Sequence, residues 1–184
     1  MTADGASGRI HFVIEGPRDA PAVLLAHALG ATLQLWDAQA EALARRFTVI
    51  RFDLRGHGKS SVPAGDYTLD DLGADAVAVL DAAGVDVAHV AGISLGGLIA
   101  LWLGINVPSR VRSLFVANSA ARVGTVARWE ERMALVRREG VAVVASRAME
   151  TWFTPEFAQS NPADVEHCRA MIAGTPPVGW TTTW

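Results

Sequence analysis

The sequence predicts an α/β fold: a mostly parallel sheet with helices on both faces, continued by a helical cap. Two observations carry this. Up to about residue 121, short apolar runs rich in β-branched residues alternate with longer segments of helical periodicity, the signature of strand–helix–strand units. Beyond that point no strand pattern recurs and helical spacings take over. The chain therefore divides into a core at 1–121 and a cap segment at 122–184.

Ile10 to Glu15 reads as the first strand, closed by Gly16-Pro17. Ala22 to Ala26 is wholly apolar and follows a proline, as a strand buried on both faces would be. Leu33, Trp36, Ala40 and Leu43 recur at helical spacing, and Phe47 to Phe52 is the next strand. Thr68 opens a helix with Asp71 three residues on, an acidic variant of the capping box. Leu69, Leu72, Ala76, Val79 and Ala83 form its buried stripe, and Gly84 ends it. Val87 to Ala91 is a strand. Leu98, Leu101, Trp102 and Ile105 make a helix that stops before Pro108, and Val111 to Ala117 is the last clear strand. In the cap, Trp129, Met133 and Val136 fit one helix ended by Gly140. Val141, Val144, Ala148 and Trp152 fit another, Pro155 and Pro162 break the chain, and Val165 to Met171 forms a short helix. Trp129, Trp152, Trp180 and Trp184 are expected to serve mainly as cap core.

Composition excludes several functions. Of 184 residues 51% are apolar, enough for a sizeable core without staples. Sixteen basic against nineteen acidic residues give a net charge of -3, without the basic excess of a nucleic-acid binder. The single cysteine, Cys168, permits no internal disulfide and reads as a small buried apolar residue. No pair of histidines has metal-ligand spacing and no carboxylate cluster is found, so no metal site is expected. No apolar run approaches the roughly 18 residues of a membrane span. The N-terminus lacks the basic and apolar regions of a secretory signal, so the expectation is a cytoplasmic protein with no membrane partner.

The strongest chemical signal is Gly92-Ile93-Ser94-Leu95-Gly96, between an apolar strand and an amphipathic helix. A G-x-S-x-G sequence needs that context to form a sharp elbow that lifts the serine hydroxyl above the sheet. The helix N-terminus behind it favours developing negative charge. Ser94 is thus the candidate nucleophile. Acyl transfer also needs two backbone N–H groups aimed at the oxyanion. The Leu95 amide supplies one. The loop His27-Ala28-Leu29-Gly30 supplies the other, through Leu29. His27, at a strand end, is read as a brace for this loop and not as a base. Asp53 to Ser60 forms a tight glycine-bearing loop. It lacks the third glycine of a phosphate cradle, and His57 within it is read as a loop residue.

With these three motifs in this order, the chain resembles the α/β-hydrolase superfamily. In detail, His27 to Asp37, Gly92 to Gly104, Val107 to Asn118 and Trp152 to Phe157 are similar to the 3-oxoadipate enol-lactonases. The resemblance implies a serine hydrolase that opens a small lactone to 3-oxoadipate in aromatic-compound catabolism, without a cofactor. It also implies a triad in the order serine, acid, histidine, the last two after strands beyond the cap. No such strands, acid or histidine precede Trp184, so the chain reads as C-terminally truncated. Asp164 and His167 have the right order but stand three apart in one helical segment, so they are not read as a triad. In the cap, Arg128 and Trp129 are candidates to meet an anionic lactone, with Trp36 a further candidate contact. The alternatives are another carboxylesterase, a haloperoxidase-like hydrolase, or a non-catalytic hydrolase-like binding protein. Without further strands, Val111 to Ala117 would form an exposed edge through which copies of the chain could associate.

Overall fold

The computed structural model describes residues 1–182. Six strands form one sheet: β1 (Thr2–Gly5), β2 (Gly8–Glu15), β3 (Ala22–Ala26), β4 (Thr48–Phe52), β5 (Ala88–Ile93) and β6 (Val111–Ala117), in the order β1-β2-β4-β3-β5-β6. β3, β4, β5 and β6 are parallel, and β2 joins β4 antiparallel. β1 was not legible in the sequence because Ala3 is its one buried residue, so it carries no alternating pattern. It is held by the antiparallel hairpin with β2.

Helices α1 (Asp37–Leu43), α2 (Leu69–Ala82) and α3 (Leu95–Asn106) connect the strands. The Thr68–Asp71 capping box at the start of α2 is present in both directions. α2 and α3 cover one face, where Leu72, Leu80, Ile99 and Leu103 pack on Leu24 and Ile50 of the sheet. A 3₁₀ turn at Leu33–Trp36 and α1 cover the other, over Val23, Leu25 and Val49. Each fully buried side chain of this kind contributes about 1.5–3 kcal/mol.

From residue 126 on, the described residues are helical: α4 (Val126–Glu139), α5 (Val141–Trp152), α6 (Pro155–Ser160), α7 (Pro162–Ala173) and α8 (Pro177–Thr181). Pro155 and Pro162 break the helical run as expected, and each is the first residue of the next helix, where a missing N–H costs nothing. These helices share a core of their own around Met133, Val136, Val144, Ala145, Ile172 and Trp180. Of the tryptophans expected in that core, Trp180 is buried, Trp152 is exposed, and Trp184 lies outside the described residues. Among the described strands β6 pairs only with β5, and Phe115 on it is 63% exposed. No helix among the described residues is long and apolar enough to cross a membrane.

Candidate active site

The parallel strands β3, β5 and β6 end together, Ala26 opposite Gly92 and Ile93 opposite Ala117, so the loops after them converge at one edge of the sheet. The tightest turn there is at Ser94, whose backbone sits at φ 54°, ψ -114° between β5 and α3. Such a conformation costs a non-glycine residue on the order of 1–3 kcal/mol and persists only where its surroundings enforce it. They do so on three sides. The Ser94 N–H donates to the Ala117 carbonyl at 3.0 Å, and the Ser119 hydroxyl donates to the Ser94 carbonyl at 2.7 Å. The third constraint is close approach. A Cβ on Gly96 would stand 2.1 Å from the Ala26 carbonyl oxygen, and one on Gly92 would stand 2.0 Å from that of Gly96. The spacing of the two glycines thus lets strand, turn and helix touch through bare backbone.

Leu95 is the first residue of α3, so its N–H has no partner within the helix. The Leu29 amide, in the loop after β3, likewise donates to no acceptor among the described residues. Two buried histidines hold this loop. The His27 Nδ1–H donates to the Ala28 carbonyl at 2.8 Å, while its Nε2 accepts the Leu54 N–H at 3.0 Å. The His57 Nδ1–H donates to the Arg55 carbonyl at 3.0 Å, and its Nε2 accepts the Gly30 N–H at 3.0 Å. Both rings are committed at both nitrogens and are neutral. Burial, then the neighbouring His27, push the His57 imidazole down to about 3. Burial lowers His27 as well. Asp53 anchors the same loops from below, accepting the Leu33 N–H at 2.8 Å and the Lys59 N–H at 3.0 Å, and pairing with His11 at 3.0 Å.

Ser94 faces two cavities under the cap. One, of about 230 Å³, is walled mainly by Leu29, Leu95, Leu98, Val126 and Trp129, with Arg122 at its lining. The other, of about 80 Å³, lies among Ala28, Trp129, Arg132, Trp152 and Trp180. No histidine or carboxylate lines either cavity among the described residues. Asp164 and His167 are exposed on α7 and outside both. Described residues that could hold a metal ion do not cluster.

The structure brings Ser94, Leu29, Leu95 and Trp129 together and leaves two candidates elsewhere. Trp36 is buried on the opposite face of the sheet with Val23, Leu25 and Val49, away from both cavities. Its indole fills the gap under α1. Arg128 is exposed on the outer side of α4 and lines neither cavity. The cation of the smaller cavity is Arg132, which sequence reasoning missed, as it did Arg122 at the larger one. With the N-cap of α4 at Thr125, the spacing of three between Trp129 and Arg132 puts both on one helix face. The Arg132 guanidinium lies 5.2 Å from the Trp129 ring centroid and 6.0 Å from that of Trp180. It has no carboxylate partner among the described residues. Burial, then Arg128 and Arg147, pull it below the usual arginine range, yet a guanidinium stays cationic.

Comparisons with known proteins bear on the fold and the family. The family described as alpha/beta hydrolase fold matches residues 21–162. A 3-oxoadipate enol-lactonase of Acinetobacter baylyi is 40% identical over 94% of this chain and 65% of its own length. A second enol-lactonase of that organism is 38% identical over 91% of the chain and 62% of its length. A putative carbamate hydrolase of Azorhizobium caulinodans is 33% identical over 95% of the chain and 66% of its length. The crystal structure of an enol-lactonase from Burkholderia xenovorans superposes with a TM-score of 0.95 at 31% identity, covering 99% of this chain and 71% of that one. The chain thus spans somewhat less than two thirds of the length of the two Acinetobacter relatives.

Proposed function

We propose, for a chain that belongs to the α/β-hydrolase fold family, the hydrolysis of a small carboxylate-bearing lactone of the 3-oxoadipate enol-lactone type, with Ser94 as nucleophile. The observation that carries the reading is the unpaired, half-buried Arg132 in the cavity that Ser94 faces. A half-buried guanidinium without a carboxylate retains the capacity to bind one, through charge-assisted hydrogen bonds. A lactone bearing a carboxylate supplies that anion, and a neutral ester does not.

In this mechanism the substrate carboxylate pairs with Arg132, and the lactone ring lies against the Leu29, Leu98 and Trp129 wall. The Ser94 Oγ attacks the carbonyl carbon. The oxygen gains negative charge as the tetrahedral intermediate forms, and the Leu29 and Leu95 N–H groups receive it. Such preorganised donors each lower the barrier by roughly 3–4 kcal/mol in well-studied cases. The ring oxygen leaves as an enol, which becomes the ketone, and water releases the acyl group from Ser94. His27 and His57 take no part, since both nitrogens of each are occupied in holding the loop. A general base must reach Ser94 Oγ from outside the described residues that line its cavities.

A second reading has its own support. The carbamate hydrolase relative and the mainly apolar larger cavity suit a neutral ester or carbamate. One experiment separates the two. The chain is fused to the C-terminal third of the Acinetobacter enol-lactonase and assayed on the enol-lactone and on a neutral ester, with and without Ser94→Ala. The lactone reading expects preferred turnover of the lactone, lost by about 10⁶ in the serine variant. Retention of more than a few per cent of activity removes Ser94 from its role, and equal preference for the neutral ester favours the second reading.

A further inference from the structure

Arg132 also borders a third space, on the outer side of the cap. Between α4 and α5 runs an open groove of about 690 Å³, lined by Arg128, Glu131, Arg132, Arg138, Arg147 and Thr151 among others. The helical register explains its charge. Arg128, Arg132, Leu135 and Arg138 follow one another along one face of α4, and Arg147 and Thr151 are one turn apart on α5. Arg138 is engaged with Glu139 at 2.6 Å. Arg128, Arg132 and Arg147 have no carboxylate partner among the described residues. Among the described residues that line the groove, Glu131 is the one acid. Burial first, and then the closeness of Arg128 and Arg147, depress the Arg132 guanidinium. A chain of net charge -3 that gathers unpaired cations in one concavity favours an anion there over any other ligand.

We propose that this groove is the outer docking site for the anionic substrate. A small organic carboxylate pairs first with Arg128 and Arg147 and then passes to Arg132, the side chain shared by the groove and the cavity of Ser94. The inference rests on the reading that the substrate carries a carboxylate. It adds a second site for that group, with residues that touch neither Ser94 nor its larger cavity. Arg132 acts as the common wall: its guanidinium lies over the rings of Trp129 and Trp180 and lines both the groove and the cavity, so it can meet an anion from either side. Exposed arginines of this kind contribute chiefly through local concentration and capture rate, and the effect falls with salt.

The test uses this chain and the six-carbon dicarboxylate adipate, with adipamide as uncharged control. Binding is followed by calorimetry and by tryptophan fluorescence, which Trp129 and Trp180 beside Arg132 make responsive. Adipate should bind saturably and adipamide should not. The double variant Arg128→Gln/Arg147→Gln should weaken adipate binding by about tenfold and flatten its salt dependence. Both arginines are replaced at exposed positions, and far-UV circular dichroism verifies that the fold is kept. The proposal is overturned if the double variant binds adipate within twofold of the parent, if adipamide binds equally, or if only Arg132→Gln matters. Loss of binding in the double variant together with no lactone turnover in the fused enzyme would leave the groove standing and remove the lactonase reading. Lactone turnover with indifference to both arginines would do the reverse.

Discussion

Acid should loosen this fold through His57 well before the carboxylates protonate. Its ring is fully buried, donates to the Arg55 carbonyl and accepts the Gly30 N–H, an arrangement open only to the neutral form. The folded value of about 3 lies below the 6.5 of a free imidazole. Between those values the unfolded chain binds a proton that the folded chain refuses. Stability is therefore fully present above about pH 6.5 and is lost as pH falls toward 3. At pH 5 the unfolded imidazole lies about 1.5 units below its midpoint, which at 1.36 kcal/mol per unit is a loss of about 2 kcal/mol relative to pH 7.5. His27 is shifted in the same direction by burial and adds to the loss. The assay is urea unfolding at pH 7.5 and 5.0, for the parent and for His57→Gln, whose amide can still accept from Gly30 but does not titrate. The variant should be less stable at pH 7.5, yet lose about 2 kcal/mol less than the parent on acidification. Equal losses in the two proteins, or a parent as stable at pH 5.0 as at pH 7.5, would refute the argument.

Two further perturbations test other parts of the fold. Asp53→Ala strips the acceptor from the Leu33 and Lys59 amides and from His11, and should cost about 3 kcal/mol in urea unfolding. A loss under 1 kcal/mol would show that water replaces the carboxylate. We propose also that the free side of β6 draws copies of the chain together; sedimentation should show concentration-dependent association, reduced by Phe115→Lys, and a parent that sediments as a monomer at every concentration removes the idea.

Legibility in the sequence followed how each element is stabilised. β3 and β6 could be read residue for residue, since Ala22 to Ala26 is apolar throughout and Val111 to Ala117 is set off by Pro108. The α2 cap was legible because its two members are three residues apart. β1 was not, because pairing with β2 and not burial holds it there. The same divide runs through the site. Ser94, Leu29 and Leu95 sit in local turns that follow strands, so their coming together at one cavity was legible from spacing. Trp36 was misplaced because which helix face meets the sheet is decided by tertiary packing, and packing within the cap likewise turns Arg128 to the outer groove and away from the Ser94 cavities. Arg132 and Ser119 were missed for the same reason: neither belongs to a motif, and each matters only once the cap or β6 is in place.

The bare-backbone contact between Gly96 and the Ala26 carbonyl also governs how such a protein can diversify. A hinge with no room for a methyl group cannot be tuned by small steps, because every side chain but hydrogen collides with main chain that has nowhere to go. The turn that carries Ser94 is therefore closed to gradual change. The cap helices have the opposite character: Trp129, Arg132 and Trp152 enter the cavity as side chains on helices that share their own core. New substrates would be reached by exchanging those side chains one at a time while the turn beneath them stays the same.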